Sequence, residues 1–196
     1  LPGRALDERE FAGELALDGR LRPVTGSVAA AIASSDARRI LALPGENARD
    51  AAVVPGARVA AADSLLELCA WLQGRARPDL VSYRAPDAGP AYPDLNEVRG
   101  QALARRALEV AAAGGHNLLL CGPPGTGKTM LASRLPGILP ELTDRERLEI
   151  LALRSAASSQ GQSGSSLRPF RSPHHSASAK ALVGGGSCPR PGEISL

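Results

Sequence analysis

Asn117-Leu118-Leu119-Leu120-Cys121-Gly122-Pro123-Pro124-Gly125-Thr126-Gly127-Lys128-Thr129 decides how this chain is read. A short apolar run of buried-strand character, Asn117–Cys121, leads into Gly122–Thr129, a complete match to G-x-x-x-x-G-K-[ST]. Glycines let the backbone turn tightly enough to aim successive N–H groups at one point. That point lies at a helix N-terminus, where unpaired N–H groups and the helix dipole favour an anion. Lys128 would reach the β- and γ-phosphates and the Thr129 hydroxyl would take a place on Mg²⁺. At this chain's Gly and Lys frequencies the pattern arises by chance in roughly a few chains per thousand of this length. The strand before it and the helix expected from Lys128 to Leu135 are the context the motif demands. Gly122, Pro123, Pro124, Gly125, Thr126, Gly127, Lys128 and Thr129 are therefore the candidate ATP-binding residues, with Mg²⁺ held through the nucleotide and Thr129.

Just before the loop, Arg99–Ala113 has the Ala/Leu/Arg composition of a helix and stops at Gly114-Gly115. Pro136 and Pro140 are expected to break the helix after the loop. Thr143 then caps a helix over Asp144–Ser155, with Glu146 at the capping-box position. Ser158–Ser166 is low in complexity. A short helix is expected around Ser178–Val183 in an otherwise irregular tail.

Upstream, Arg75–Pro93 carries four prolines and scattered charges without periodicity and reads as a linker. Before it lies a small α/β unit. Phe11–Leu17 has strand character, Asp18-Gly19 is a hairpin signal and Leu21–Val24 is the returning strand. Ser27–Ala33 is a helix candidate, Arg39–Leu43 a buried strand ended by Pro44-Gly45, and Val59–Ala61 a weaker strand. Asp63 or Ser64 can cap a helix whose Leu65, Leu66, Leu68, Cys69 and Leu72 follow the 3–4 spacing, ending at Gly74. The expected organisation is residues 1–74, a linker over 75–93, and 94–196. No internal repeat is present.

The 196 residues are 43% hydrophobic and 22% charged, as expected of a globular protein. Apolar runs such as Leu118–Cys121 fall far short of the ~18–20 residues that span a bilayer. No secretory h-region opens the chain, so a cytoplasmic protein without a membrane partner is the expectation. Net charge is +3, compatible with nucleic acid but equally with an Arg-rich composition. Of 23 basic residues only Lys128 and Lys180 are lysine, so a lysine here asks for a reason. Cys69, Cys121 and Cys188 are far apart and form no CxxC pair, which argues against a disulfide framework or a zinc site. Cys121 reads as a small core residue. Adjacent His174 and His175 should point apart on an extended chain and so bind no metal together. Arg168, Arg171 and Arg190 are candidates for phosphate-backbone contact against a default of solvated loop.

Several long words resemble a known family. Glu97–Gln101 (EVRGQ), Ala111–Pro140 (AAAGGHNLLLCGPPGTGKTMLASRLPGILP), Arg168–Gly186 (RPFRSPHHSASAKALVGGG) and Pro189–Leu196 (PRPGEISL) resemble the magnesium-chelatase-like AAA+ ATPases. Gly13–Gly26 (GELALDGRLRPVTG) and Arg38–Val54 (RRILALPGENARDAAVV) are similar to the front domain of the ComM/YifB type within that family. The resemblance implies an α/β fold: a partial ribosomal S5 domain 2-like domain, related to Lon protease, followed by a partial parallel-sheet P-loop AAA+ domain. It implies a homo-hexameric ring, a DNA branch-migration motor in natural transformation, and Val98 and Gln101 lining the adenine pocket. A chelatase ATPase subunit and a non-catalytic nucleotide-binding remnant remain alternatives. It also implies a fragment that stops short of the Walker B Asp-Glu pair and the arginine finger, so that no catalytic residue is assigned and this polypeptide is expected to be inactive alone. Lon-type proteases use a Ser–Lys pair. The front half holds no lysine, and Val28 stands where that lysine would be, next to Ser27.

Overall fold

The computed structural model describes residues 6–86, 91–157, 167–186 and 189–196. Its centre is a four-stranded, mostly parallel sheet ordered β1-β4-β5-β6. Strands β1 (Arg9–Phe11), β4 (Ile40–Leu43) and β5 (Arg58–Ala61) run parallel, in the registers Glu10↔Leu41 and Leu41↔Val59. The edge strand β6 (Asp79–Leu80) joins β5 antiparallel, and the amide of Val81 continues the pairing by donating to the Val59 carbonyl. The Arg75–Pro93 stretch, read from sequence as aperiodic linker, thus supplies a strand.

Side-chain alternation along β4 and β5 sorts two cores onto opposite faces. Leu41, Leu43 and Val59 face α1 (Ser27–Asp36) and α2 (Gly45–Ala51), packing with Val28, Ala31, Ala48, Val53 and Val54. Complete burial of each large aliphatic side chain contributes about 1.5–3 kcal/mol. Ala42, Ala60 and Ala62 line the other face. Their small size leaves room for Leu68 and Trp71 of α3 (Leu65–Leu72), which is capped by the Ser64 hydroxyl accepting from the Glu67 amide. The expected hairpin forms as β2 (Glu14–Leu15) and β3 (Leu21–Arg22), with Leu15 opposite Leu21. Buried Asn47 ties the hairpin to α2: its Oδ1 accepts from the Val24 amide at 2.8 Å and its Nδ2 donates to the Val24 carbonyl at 3.0 Å. Pro44-Gly45, expected to end a strand, also begins α2.

The second half is a chain of helices: α4 (Ala102–Gly114), α5 (Lys128–Ala132), α6 (Leu135–Ile138), α7 (Asp144–Ala157) and α8 (Ala179–Val183). Strands β7 (Gly184–Gly185) and β8 (Arg190–Pro191) close a small ribbon. Pro136 lies in the first turn of α6, where its missing N–H costs nothing, so it opens a new helical turn instead of only breaking the old one. Ser158–Ser166 and Cys188 lie outside the described residues. No helix among the described residues is long and apolar enough to cross a membrane.

Helix α7 crosses between the halves. Leu151 is buried among the aliphatic side chains of α1 and β4, and the Gly26 amide donates to the Ser155 carbonyl at 2.8 Å. Its capping box forms as expected: the Thr143 amide and hydroxyl donate to Glu146 Oε2 at 2.8 and 2.9 Å, and the Glu146 amide returns a bond to the Thr143 hydroxyl. The Thr143 amide and hydroxyl, and then the charge of Arg168, hold the Glu146 carboxyl below the ordinary carboxylate range. A carboxyl with a depressed folded pKa stabilises above its unfolded value, and that contribution is lost as pH falls through the folded one. Glu146→Gln should therefore unfold at a lower temperature than wild type at pH 7. The gap should close as pH is taken from about 5 to 3, as followed by thermal unfolding at stepped pH. A gap that is constant with pH would show that the box does not depend on the charge.

Candidate nucleotide-binding site

The loop hangs between α4 and α5. Helix α4 stops at Gly115, whose left-handed φ of +62° turns the chain and lets the His116 amide bond back to the Ala111 carbonyl. The His116 ring lies against Gly114, where any Cβ would collide with it.

The next segment corrects the sequence reading. Asn117–Cys121 forms no strand among the described residues, and it is not buried: Leu119 is 84% exposed. Cys121 is exposed as well, not a core residue. Only Leu120 leans into an apolar cluster, formed by Leu95, Val98, Leu108 and Leu131. A strand of a parallel sheet exists only with its neighbours, and this run has none here.

Gly125 and Gly127 both adopt φ +82°, where a side chain would be strained. Gly127 begins α5, and the Leu131 amide donates to its carbonyl at 2.9 Å. The Thr126 hydroxyl donates to the Pro123 carbonyl at 3.0 Å and closes the loop upon itself. The Lys128 ammonium donates to the carbonyls of Gly122 at 2.9 Å and Pro123 at 2.7 Å, and lies 3.4 Å from Thr126 Oγ1. These partners are neutral oxygens, so none of them offsets the charge of the ammonium at the edge of an exposed, glycine-bent loop. That arrangement fits a polyphosphate. Thr129, in the first turn of α5, is exposed.

The two residues expected to line an adenine pocket lie close to the loop in different ways. Val98 is 1% exposed and packs against Leu131 beneath α5. Gln101 precedes α4 with φ +51°, a left-handed conformation that costs a residue with a Cβ roughly 1–2 kcal/mol. Its side-chain amide donates to the Thr126 carbonyl at 3.3 Å. Sequence reasoning missed this contact, and also the 2.9 Å pair of Arg134 with Glu97, which joins the start of α6 to the turn at Leu95–Glu97. Left-handed Gly100-Gln101 carries no local signal except the glycine.

The tail is self-engaged. Arg171 makes a two-pronged pair with Glu193, at 2.7 and 2.6 Å, which lowers the Glu193 pKa and raises that of Arg171. Arg168 donates to the Pro140 carbonyl, approaches Glu146 at 3.7 Å, and its own carbonyl accepts from the Tyr92 hydroxyl. His174 and His175 do not point apart. Their rings lie 4.2 Å centre to centre at 37°, and His174 Nδ1 is 2.7 Å from the Ser176 hydroxyl. Among the described residues no cluster of His, Cys, Asp and Glu is arranged to hold a metal ion by itself. Ser27 and Val28 are both buried in the front unit.

Comparison with known proteins gives this geometry a family. Residues 94–196 match the model for magnesium chelatase, subunit ChlI. The uncharacterized protein YifB of Escherichia coli K12 is 47% identical over 199 residues, covering 100% of this chain and 39% of YifB. The competence protein ComM of Haemophilus influenzae is 45% identical over 197 residues, covering 97% of this chain and 39% of ComM. An uncharacterized protein of Mycobacterium tuberculosis H37Rv is 44% identical over 198 residues, covering 99% of this chain and 39% of that protein. The chain thus spans 39% of the length of these relatives. With a match over more than half its length and close relatives along all of it, the chain belongs to the magnesium-chelatase-like family of AAA+ proteins and is similar throughout to ComM and YifB.

Proposed function

We propose that this chain binds Mg²⁺·ATP at Gly122–Thr129 and forms part of a motor ATPase of ComM/YifB type, whose whole protein assembles as a hexameric ring and drives DNA branch migration. Residues 1–74 would be an S5 domain 2-like unit, 75–93 its connection, from which Asp79–Leu80 pairs back onto β5, and 94–196 the first part of the AAA+ domain. The observation that carries the reading is Lys128, one of two lysines in the chain, with its ammonium held by the loop carbonyls of Gly122 and Pro123 and paired with no carboxylate among the described residues. When bound, the nucleotide supplies the phosphoanhydride whose cleavage powers such motors. Lys128 and the loop amides would hold its phosphates, and the Thr129 hydroxyl would face the Mg²⁺. The name of ComM, a competence protein, supports DNA as the partner. The family's description supports a second reading, an ATPase subunit of a metal chelatase. Against that reading, the similarity to ComM and YifB extends across residues 1–93, outside the chelatase match.

Lys128→Ala removes charge-assisted hydrogen bonds to phosphate, each worth about 1.5–3 kcal/mol. Titration of a fluorescent ATP analogue should show affinity falling about 10–100-fold. Equal binding by the two proteins would refute the site.

A further inference from the structure

We propose that Glu97–Gln101 clamps the phosphate loop, with Gln101 a positioning residue that fixes the Thr126 carbonyl whatever base the nucleotide carries. The inference rests on the reading of Gly122–Thr129 as a nucleotide site. Three grips converge on one loop-and-helix unit. Before α5, the Gln101 amide donates to the Thr126 carbonyl at 3.3 Å. Within α5, Leu131 is buried against Val98. After α5, Arg134 donates to Glu97 at 2.9 Å and, from its other terminal nitrogen, to the Met130 carbonyl at 2.9 Å.

The backbone is bent to make this possible. Gly100 and Gln101 are both left-handed, at φ +70° and +51°. Among the described residues only Arg38 shares that state without being glycine. A left-handed glutamine persists only where its surroundings compensate for the strain. A glycine-rich loop must be ordered before its amides can converge on an anion, and ordering it in advance raises affinity without touching the ligand. A clamp of this kind acts on the phosphate cradle and not on the base.

The test compares Mg²⁺ complexes of ATP, GTP and inorganic tripolyphosphate by calorimetric titration, on wild type, Gln101→Ala, Gln101→Gly and Lys128→Ala. A neutral hydrogen bond corresponds to about 3–10-fold in affinity. Both Gln101 variants should lose that factor equally for all three ligands. Glycine accepts φ +51° without strain, so Gln101→Gly should unfold no earlier than wild type while still binding less. A loss confined to ATP, with tripolyphosphate unaffected, would make Gln101 a base contact and overturn the clamp. Unchanged binding, or weaker binding matched by earlier unfolding in Gln101→Gly, would overturn it too. Lys128→Ala separates the two levels. If it binds all three ligands as wild type does, the nucleotide site falls and the clamp with it. If it fails while the Gln101 variants bind normally, only the clamp falls.

Discussion

Leu151→Ala is expected to destabilise the β1-β4-β5-β6 unit by about 2–5 kcal/mol, although Leu151 lies more than a hundred residues beyond α1 and β4. The side chain is 4% exposed and packs among Val28, Ala31 and Leu41. Against a typical total of about 5–15 kcal/mol the loss is severe. Trp71, the sole tryptophan, packs on the opposite face of the same sheet and reports on that unit alone. Urea unfolding followed by Trp71 fluorescence should show a lower midpoint with an unchanged slope. Leu153, 42% exposed on the same helix, provides the control: Leu153→Ala should stay within about 0.5 kcal/mol of wild type. A Trp71 transition unmoved by Leu151→Ala would mean that α7 does not belong to that core.

The second large effect concerns turnover. The 196-residue polypeptide should hydrolyse ATP at least about 10³-fold more slowly than a complete motor, because holding a triphosphate is ground-state binding and acceleration needs groups that act on the transition state. Downstream of the loop no two acids are adjacent, so no apolar run ends in an Asp-Glu pair. Glu193, the last acid, is held by Arg171 and is not free to orient water. Phosphate release should stay near background with and without DNA. Steady release abolished by Lys128→Ala would reveal a catalytic carboxylate elsewhere in these residues.

What the sequence made legible was local. The Asp18-Gly19 hairpin, the Ser64 cap of α3 and the Thr143–Glu146 capping box depend on residues within four positions of one another, and each formed where its residues said it would. The P-loop glycines are legible for the same reason. What was not legible depends on distant partners. Asp79–Leu80 looks like linker because only β5 makes it a strand. Asn117–Cys121 looks like a buried strand because composition reports apolarity and cannot report whether a neighbour is there to pair with it. Leu151 in the front core and Gln101 on Thr126 are likewise contacts between segments that share no pattern.

The bare Asn117–Cys121 run also governs how this polypeptide behaves in a test tube. It belongs to no helix or strand and joins no ladder among the described residues, and Leu118 and Leu119 face solvent. That is the template on which copies of a chain stack edge to edge into aggregates. The sequence limits the damage. Pro123 and Pro124 have no N–H to offer and follow the run after one residue, so a growing ladder stops at the loop. Turbidity should rise steeply with protein concentration and be relieved by a charged residue at position 119, outside the phosphate cradle that begins at Gly122.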